Sequence, residues 1–349
     1  MKHRLLQWLA CPACDGTALE VSATRTEVRR VTSADLDGPD ASPPGVDPGT
    51  REETEIIEGA IHCPGCAAVY AVRDGIPRML PQGASEGPTT AHRYTTFDTA
   101  QPAWEQSFLD YAAPLEPHDF LGRVVLDAGC GYGRHAFFAA RYGAEVIALD
   151  SSADAVASCA ANTRHSSRVH VVQGDLLRPP LRDSFCDIVY SFGVLHHLED
   201  ADAALTALGE RVRSGGRLAL WVYGPRQGAT LVVNNALRGA TASMAPESLH
   251  ALSKAIASTL RLVSHTPYVL LHDVPVAGGI VRHLPVHDHH QWPYDVVVAD
   301  VFDRLRIPVH RWFRGEELEV MLSDAGYADV QVSRRVRNNE TFRALGTRR

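Results

Sequence analysis

From residue 124 onward, short apolar runs alternate with segments whose apolar positions recur at helical spacing. The apolar runs begin at Val124, Glu145, Val169, Cys186 and Gly216. Runs of this kind, rich in Val, Ile and Leu, are typical of strands buried on both faces of a parallel sheet. The first run is followed at once by a helix pattern, RHAFFAARYGA. The alternation predicts an α/β fold with a mainly parallel sheet.

The first strand and helix are joined by a glycine-rich turn, DAGCGYG, over residues 127–133. A strand, a tight glycine turn and a helix N-terminus form a cradle for a nucleotide-like ligand. The second strand ends at Asp150, an acid placed to hold a ribose diol. An NAD-dependent dehydrogenase shares both features. Its third glycine, however, lies one position later than here, where Arg134 follows Gly133.

These motifs, together with GD at 174–175 and SFGVLHHL from Ser191, resemble the class I S-adenosylmethionine-dependent methyltransferases over roughly residues 90–223 and 314–349. The resemblance implies a Rossmann-like, doubly wound, seven-stranded sheet. It also implies S-adenosylmethionine (SAM) as methyl donor and a set of donor-binding candidates: Tyr94, Trp104, Asp127, Gly129, Cys130, Gly131, Gly133, Asp150, Ser151, Asp175, Leu176, Ser191 and Phe192. Trp104 could equally be a packing residue, and Cys130 a small buried apolar side chain.

Two C-P-x-C knuckles precede this core, one with Cys11 and Cys14 and the other with Cys63 and Cys66. Two such turns complete a tetrahedral site of four sulfurs, which predicts a structural zinc ion without an open coordination position. A redox C-x-x-C pair or unpaired structural thiols are the alternatives.

The sequence around the knuckles resembles the small zinc-ribbon protein that activates several tRNA and translation-factor methyltransferases. We therefore expect a ribbon domain over 1–82, fused to the core but with a core of its own. Residues 33–55, rich in Pro, Gly and acids, are predicted to be a mobile loop within it. Residues 83–120 are expected to form a linker and an N-terminal helical segment.

The helix and final hairpin expected after the fifth strand resume only at residue 314. The donor-binding domain should therefore comprise 121–223 and 314–349, and we interpret 224–313 as an inserted substrate lid. Imidazoles titrate near neutrality, so the candidates for an acceptor-side base are His196, His197, His287 and His289. The first pair could instead shape the pocket. The lid histidines could instead bind a metal ion or lie on an exposed loop.

The net charge of −7 provides no basic footprint for nucleic acid, and no apolar run is long enough to cross a membrane, so we expect neither nucleic acid nor a membrane as a partner. We also reject a signal peptide, and the paired thiols favour a reducing cytoplasm. The predicted protein is a cytoplasmic SAM-dependent methyltransferase with a small-molecule acceptor, and a homodimer remains open. The alternatives are an RNA methyltransferase and a donor-binding regulatory protein without catalysis.

Overall fold

The computed structural model describes residues 1–31, 51–84, 86, 102–225, 236–241, 243–284, 286–337 and 339–349. Two sheets organise these residues, a small one near the N-terminus and a large one in the remainder. No described helix is long and apolar enough to cross a membrane.

The small sheet has four strands in chain order, and its strands pair antiparallel: β1 (Glu20–Val31), β2 (Arg51–His62), β3 (Val69–Arg73) and β4 (Ile76–Pro77). Residues 51–55, predicted to belong to the loop, are instead the first residues of β2. Cross-strand ion pairs explain why these polar residues form a strand. Arg30 lies 3.4 Å from Glu52, and Arg29 lies 3.9 Å from Glu55.

The large sheet has seven strands in the order β10-β11-β9-β8-β5-β6-β7. Its strands are β5 (Val124–Ala128), β6 (Glu145–Asp150), β7 (Val169–Gln173), β8 (Cys186–Phe192), β9 (Val212–Tyr223), β10 (Tyr327–Arg337) and β11 (Asn339–Arg348). β5 to β9 pair parallel, while β11 lies antiparallel to both β9 and β10. The predicted doubly wound seven-stranded sheet is confirmed.

The helices that accompany this sheet are α1 (Pro102–Ala112), α2 (Arg134–Arg141), α3 (Ala153–Asn162), α4 (Ala201–Arg211) and α10 (Gly315–Asp324). Two of them start at a side-chain cap. Ser152 accepts a hydrogen bond from the N–H of Ala155, and Asp200 accepts one from the N–H of Ala203. The caps fix where the chain turns from each strand end into the next helix.

The insertion after β9 is helical: α5 (236–241), α6 (Pro246–Leu260), α7 (Thr266–Leu271), α8 (Ala277–Val281) and α9 (Tyr294–Arg306). α6 packs against α9, where Ala257 and Val297 are fully buried. The chain then returns to the sheet, where the N–H of Phe313 donates to the carbonyl of Tyr223 at 2.9 Å. The inserted segment therefore lies beside the carboxyl end of β9.

The ribbon and the large sheet share one buried apolar cluster, so the expectation of two separate cores is wrong. Leu9 and Met79 of the ribbon belong to the same cluster as Ile147 and Val172 of the sheet. The cause is β7, an edge strand that the ribbon covers. The N–H of Met79 donates to the carbonyl of Gln173 at 2.8 Å, continuing the sheet's hydrogen bonding into the ribbon.

A charged layer flanks this shared core. Lys2 Nζ donates to the carbonyl of Val169 at 2.7 Å, and Arg4 lies 2.8 Å from Glu145. Glu145 also contacts His170 at 2.5 Å. Burial lowers the pKa of Lys2 to about 8 and that of His170 to about 4. An ion pair to β6 and a hydrogen bond to β7 thus join the ribbon to the large sheet, beside the apolar contacts.

Candidate active site

At two positions of the glycine turn after β5, the backbone adopts a conformation that only glycine takes without strain. Gly129 has a φ of 86°, and a Cβ there would lie 2.4 Å from Val194 Cγ2. Gly133 has a φ of 83°, and its Cβ would lie 2.7 Å from Cys159 Sγ. Any side chain at these positions would strain the turn and displace its neighbours. The turn can therefore bring its backbone close to a ligand.

Asp150, at the end of β6, binds the backbone of this turn. One carboxylate oxygen accepts a hydrogen bond from the N–H of Gly131 at 3.0 Å. The other accepts one from the N–H of Ser152 at 2.9 Å. Burial raises the pKa of Asp150, although the backbone N–H groups oppose the rise. Asp150 therefore links the turn to the start of α3.

Asp127 lies on the neighbouring strand β5 and is 2% exposed. Its carboxylate has different contacts from that of Asp150. Its Oδ2 atom has no hydrogen-bond partner among the residues that the structure describes. Burial raises the pKa of Asp127 to about 7. The Tyr190 hydroxyl and the backbone of Ala136 oppose the rise, and the nearby charge of Asp150 adds to it. A buried carboxylate with an unsatisfied oxygen is costly, so this position suits a cationic ligand group.

The remaining donor candidates lie at the ends of the neighbouring strands. Asp175, just after β7, accepts a hydrogen bond from the N–H of Leu177 at 2.9 Å, and Leu176 is buried. The buried Ser191 hydroxyl on β8 donates to the carbonyl of Ala128 at 3.0 Å. Phe192 stacks on Tyr190 at 4.6 Å between ring centroids.

Two further candidates, Cys130 and Ser151, form hydrogen bonds through their backbone groups. The N–H of Cys130 donates to the carbonyl of Leu149 at 3.0 Å, and its side chain is buried. The carbonyl of Ser151 accepts from the side-chain amide of Gln173 at 2.9 Å. The structure thus brings the glycine turn together with the ends of β5, β6, β7 and β8. Tyr94 lies outside the described residues.

The two histidines after β8 have different partners. His196 is fully buried, stacks on Tyr223 at 3.8 Å, and accepts at Nδ1 from the N–H of Tyr223 at 3.4 Å. His197 donates from Nδ1 to the carbonyl of Pro308 at 2.5 Å. Burial lowers the pKa of His197 to about 4. Both imidazoles thus contact the backbone around the lid.

The two lid histidines contact different residues. His287 donates from Nδ1 to the carbonyl of Leu284 at 3.0 Å and contacts the ring of Tyr268. His289 is nearly buried and stacks on Trp292 at 3.6 Å.

An acidic and a basic side chain stand beside His289. Its Nδ1 atom lies 3.8 Å from Asp300 Oδ2, and Arg304 lies 2.7 Å from the same oxygen. Burial works against ionisation of Asp300, but Arg304 and His289 outweigh it and hold the pKa of Asp300 below its usual range.

An aromatic wall between the lid and the core was not predicted from the sequence. Trp104 on α1 lies 5.3 Å from Trp292, and the guanidinium of Arg134 lies 4.6 Å from the Trp104 ring. Seven residues after Trp104 on α1, Tyr111 stacks on Trp221 at 4.3 Å. The helical spacing of aromatic residues on α1 was the available signal. Their partners on β9 and the lid are distant in sequence.

The four cysteines of the ribbon form a compact cluster. Cys11 Sγ lies 3.6 Å from Cys66 Sγ, and Cys14 Sγ lies 3.5 Å from Cys63 Sγ. All four sulfurs lie within 4.8 Å of one another. A tetrahedral zinc site with Zn–S bonds of about 2.3 Å has sulfur–sulfur edges of about 3.8 Å. The cluster therefore has the geometry of a structural zinc site.

A cavity of about 750 Å³ opens between the ribbon and the start of α3. Tyr70, Arg78, Ala153 and Gln173 are among its lining residues. No residue of the glycine turn is among the described residues that line it. This cavity therefore lies apart from the glycine turn, although it reaches the end of β7 at Gln173.

Two family models match the chain in agreement with this geometry. Residues 126–220 match the methyltransferase domain family, and residues 2–75 match the Trm112p-like protein family. The chain therefore carries a methyltransferase domain over residues 126–220. A Trm112p-like domain, which carries the cysteine cluster, precedes it.

Individual relatives are similar over part of the chain. An uncharacterized protein of Synechococcus is 38% identical over 162 residues, 45% of this chain and 36% of that protein. Malonyl-[acyl-carrier protein] O-methyltransferase of Xylella fastidiosa is 29% identical over 141 residues, 39% of this chain and 46% of that enzyme. The chain thus matches less than half the length of either curated relative.

Among solved structures, magnesium protoporphyrin IX methyltransferase from Synechocystis aligns with 76% of this chain and 90% of its own. The sequence identity is 16% and the TM-score is 0.41.

Proposed function

We propose that the protein transfers a methyl group from SAM to a small-molecule acceptor, methylating an O, N or C atom. The observation that carries the proposal is the buried Asp127 carboxylate, which has an oxygen without a partner among the described residues and lies beside the glycine turn. The α-ammonium of the donor's methionine part would satisfy that oxygen. The donor supplies a sulfonium-bound methyl group that is already reactive, so the protein mainly binds, aligns and excludes water.

In this proposal the donor residues divide by the part of the donor that they contact. The glycine turn approaches the methionine part, Asp150 accepts from the ribose hydroxyls, and Asp175 accepts from the adenine amine. Leu176 lies beside the adenine ring. The remaining proposed members of the donor site are Tyr94, Trp104, Cys130, Ser151, Ser191 and Phe192.

On the acceptor side we propose His289 as the group that takes a proton from the acceptor. Asp300 supports this role because a carboxylate near the ring stabilises the imidazolium that would form. The contacts of His196 and His197 with backbone groups suit a role in shaping the pocket. His287 contacts Tyr268 rather than Trp292, which suits a supporting role in the lid.

A small acceptor is favoured over RNA by the distribution of charge. The chain is acidic overall, with a net charge of −7. Two arginines of the C-terminal hairpin, Arg335 and Arg343, contact Asp110 at 2.7 and 3.4 Å, so this carboxylate offsets one of their two positive charges. The aromatic wall and the lid suit a compact organic molecule better than a phosphate backbone.

We also propose the following division of the chain: a ribbon to residue 82, a linker and helical segment to 120, the donor-binding domain over 121–223 and 314–349, and the lid between its two parts. The paired thiols suit a reducing cytoplasm.

The test measures donor binding and methyl transfer separately. Calorimetry should show SAM and S-adenosylhomocysteine binding to the full chain. Purified protein given SAM with a labelled methyl group should then label a small-molecule extract but not RNA or protein fractions. Label in RNA would favour an RNA methyltransferase. Binding without transfer to any fraction would favour a regulatory protein.

A further inference from the structure

The four cysteines of the ribbon have unequal surroundings. Cys11 and Cys63 are buried, whereas Cys14 and Cys66 are exposed. The Oη atom of Tyr70 lies 3.1 Å from Cys11 Sγ, and Tyr70 is itself 7% exposed. Among the described residues outside the cluster, Tyr70 is the one whose side chain hydrogen-bonds a cluster sulfur. Cys11 is therefore a buried ligand with a side-chain partner of its own.

The chemistry of the four thiolates explains what this contact contributes. Four thiolates around one divalent zinc ion carry an excess of negative charge, and a buried thiolate needs hydrogen-bond donors. A zinc-bound thiolate has no proton, so the Tyr70 hydroxyl is the donor to Cys11 in the loaded site. Backbone N–H groups of the knuckles also face the sulfurs, including those of Gly16 and Ala68. The hydroxyl adds a donor at Cys11 without adding a charge.

The ring of Tyr70 and its hydroxyl have separable roles. The ring belongs to the apolar cluster that the ribbon shares with the large sheet, as do Ile61 and Val72. Ile61 is also the residue opposite Tyr70 where β2 pairs with β3. A phenylalanine would keep this packing and remove only the hydroxyl. The hydroxyl can therefore be tested without the loss of a buried ring.

Tyr70 also lies at the start of a short path of hydrogen bonds to the large sheet. The carbonyl of the next residue, Ala71, accepts from the N–H of Arg78 at 2.8 Å. Arg78 Nη1 donates to the side-chain oxygen of Gln173 at 3.2 Å. The side-chain nitrogen of Gln173 donates in turn to the carbonyl of Ser151 at 2.9 Å. The path thus runs from the cysteine cluster to the end of β6, where the proposed donor site begins.

We propose that Tyr70 is a positioning residue for the zinc site. Its hydroxyl orients Cys11 and stabilises it as a thiolate, and so determines how tightly the ribbon holds zinc. Partners behind a metal ligand typically change metal affinity by about 10- to 100-fold. Bound zinc in turn keeps β3 and β4 in place against β7. This last step rests on the proposed function, because its readout is the binding of SAM.

The test measures zinc binding by the full chain. The zinc-loaded parent, Tyr70→Phe and Tyr142→Phe are titrated with the colorimetric chelator pyridylazoresorcinol. Tyr142→Phe is the matched control, because the Tyr142 hydroxyl also donates to a side chain, Glu105, at 2.7 Å, but lies outside the ribbon. Replacement of zinc by Co²⁺ gives a second measurement, since the absorption bands of thiolate-bound cobalt report the electron density on its sulfur ligands.

We expect Tyr70→Phe to bind zinc about tenfold or more weakly than the parent and to shift the cobalt bands, because Cys11 loses a donor. Tyr142→Phe should match the parent in both measurements. Equal zinc affinity in the two variants, or unchanged cobalt bands in Tyr70→Phe, would overturn the proposal. So would a Tyr70→Phe protein that circular dichroism shows to be unfolded in saturating zinc, because the hydroxyl would then serve the fold and not the metal site.

Calorimetry with SAM separates this proposal from the proposed function. In saturating zinc, Tyr70→Phe should bind SAM like the parent. At a chelator concentration that removes zinc from Tyr70→Phe alone, only that variant should lose SAM binding. Unchanged SAM binding by the zinc-free variant would overturn the link between the cysteine cluster and the donor site. A parent that binds no SAM would contradict the proposed function, and the zinc and cobalt measurements would still decide the role of Tyr70.

Discussion

Asp127 and Asp150 end neighbouring strands, yet their carboxylates have different surroundings. Asp150 accepts hydrogen bonds from two backbone N–H groups, whereas Asp127 has an oxygen without a partner among the described residues. Burial raises the pKa of both. Asp150 therefore supports the turn as well as the proposed ribose contact, and Asp127 is the acid whose ionisation a cationic ligand would stabilise.

Asp150→Ala should weaken SAM binding roughly five- to hundredfold, because buried polar groups left without partners cost about 1–3 kcal/mol. The N–H of Gly131 and the ribose hydroxyls would both lose their acceptor. Calorimetry on the variant measures the loss. Asp324→Ala, at the exposed last residue of α10, is the control and should bind SAM normally. Unchanged affinity in Asp150→Ala would remove Asp150 from the donor site.

SAM affinity should fall as the pH drops from about 8 to about 6. The pKa of Asp127 is raised to about 7, so the carboxylate is ionised above that value and neutral below it. The proposed contact with the donor ammonium needs the ionised form. Asp127→Asn should bind SAM weakly, and its affinity should not change across this range. If calorimetry gives parallel pH profiles for the two proteins, Asp127 is not the titrating group.

At the scale of an element, α1 joins the core to the lid through one face. Trp104 is 1% exposed and contacts both Arg134 of α2 and Trp292 beyond the lid turn. Phe108, one turn later, is fully buried. Because these two partners come from separate parts of the chain, α1 depends on tertiary packing more than on its own helical propensity.

Trp104→Ala should lower the free energy of unfolding by about 3–5 kcal/mol, the usual cost of removing a large buried aromatic side chain. Thermal and denaturant unfolding, followed by circular dichroism, measure the change. Gln106→Ala replaces an exposed residue of the same helix and should leave stability nearly unchanged. Similar stabilities for the two variants would mean that α1 does not hold the lid to the core.

At the scale of the whole molecule, the ribbon is part of the main fold. It extends the edge of β7, shares the apolar cluster beneath the sheet and contributes Lys2 and Arg4 to the charged layer. Gln173 connects the two parts. Its carbonyl accepts from Met79, and its side-chain amide donates to the carbonyl of Ser151 beside Asp150. A change in the ribbon should therefore reach the proposed donor site.

Cys63→Ser should destabilise the whole chain and weaken SAM binding, because loss of a thiol ligand loosens the ribbon against β7. The sequence alone predicts instead that donor binding survives. Metal analysis of the parent should give about one zinc ion per chain, and calorimetry with SAM measures the coupling. Val28→Ser, an exposed change on β1, is the control. A variant that loses zinc but binds SAM like the parent would show that the two parts are independent.

The sequence by itself determined the features that depend on local chemistry. Gly129 and Gly133 are needed by a turn with positive φ, apolar runs specify buried parallel strands, and paired cysteines specify a cluster of four sulfurs. In each case the interaction lies within a few residues or follows a recognisable repeat, so it leaves a pattern in the sequence.

Only the tertiary structure decided the rest. It packs the ribbon on β7, makes β2 begin at Arg51 and places Arg134 against Trp104. It also gives His287 and His289 different ring partners, Tyr268 and Trp292. It also leaves Leu262, Leu270 and Val276 of the lid exposed to solvent. These outcomes depend on contacts between residues far apart in the chain. Local patterns cannot encode which distant surface a side chain will meet, or whether it will meet one at all.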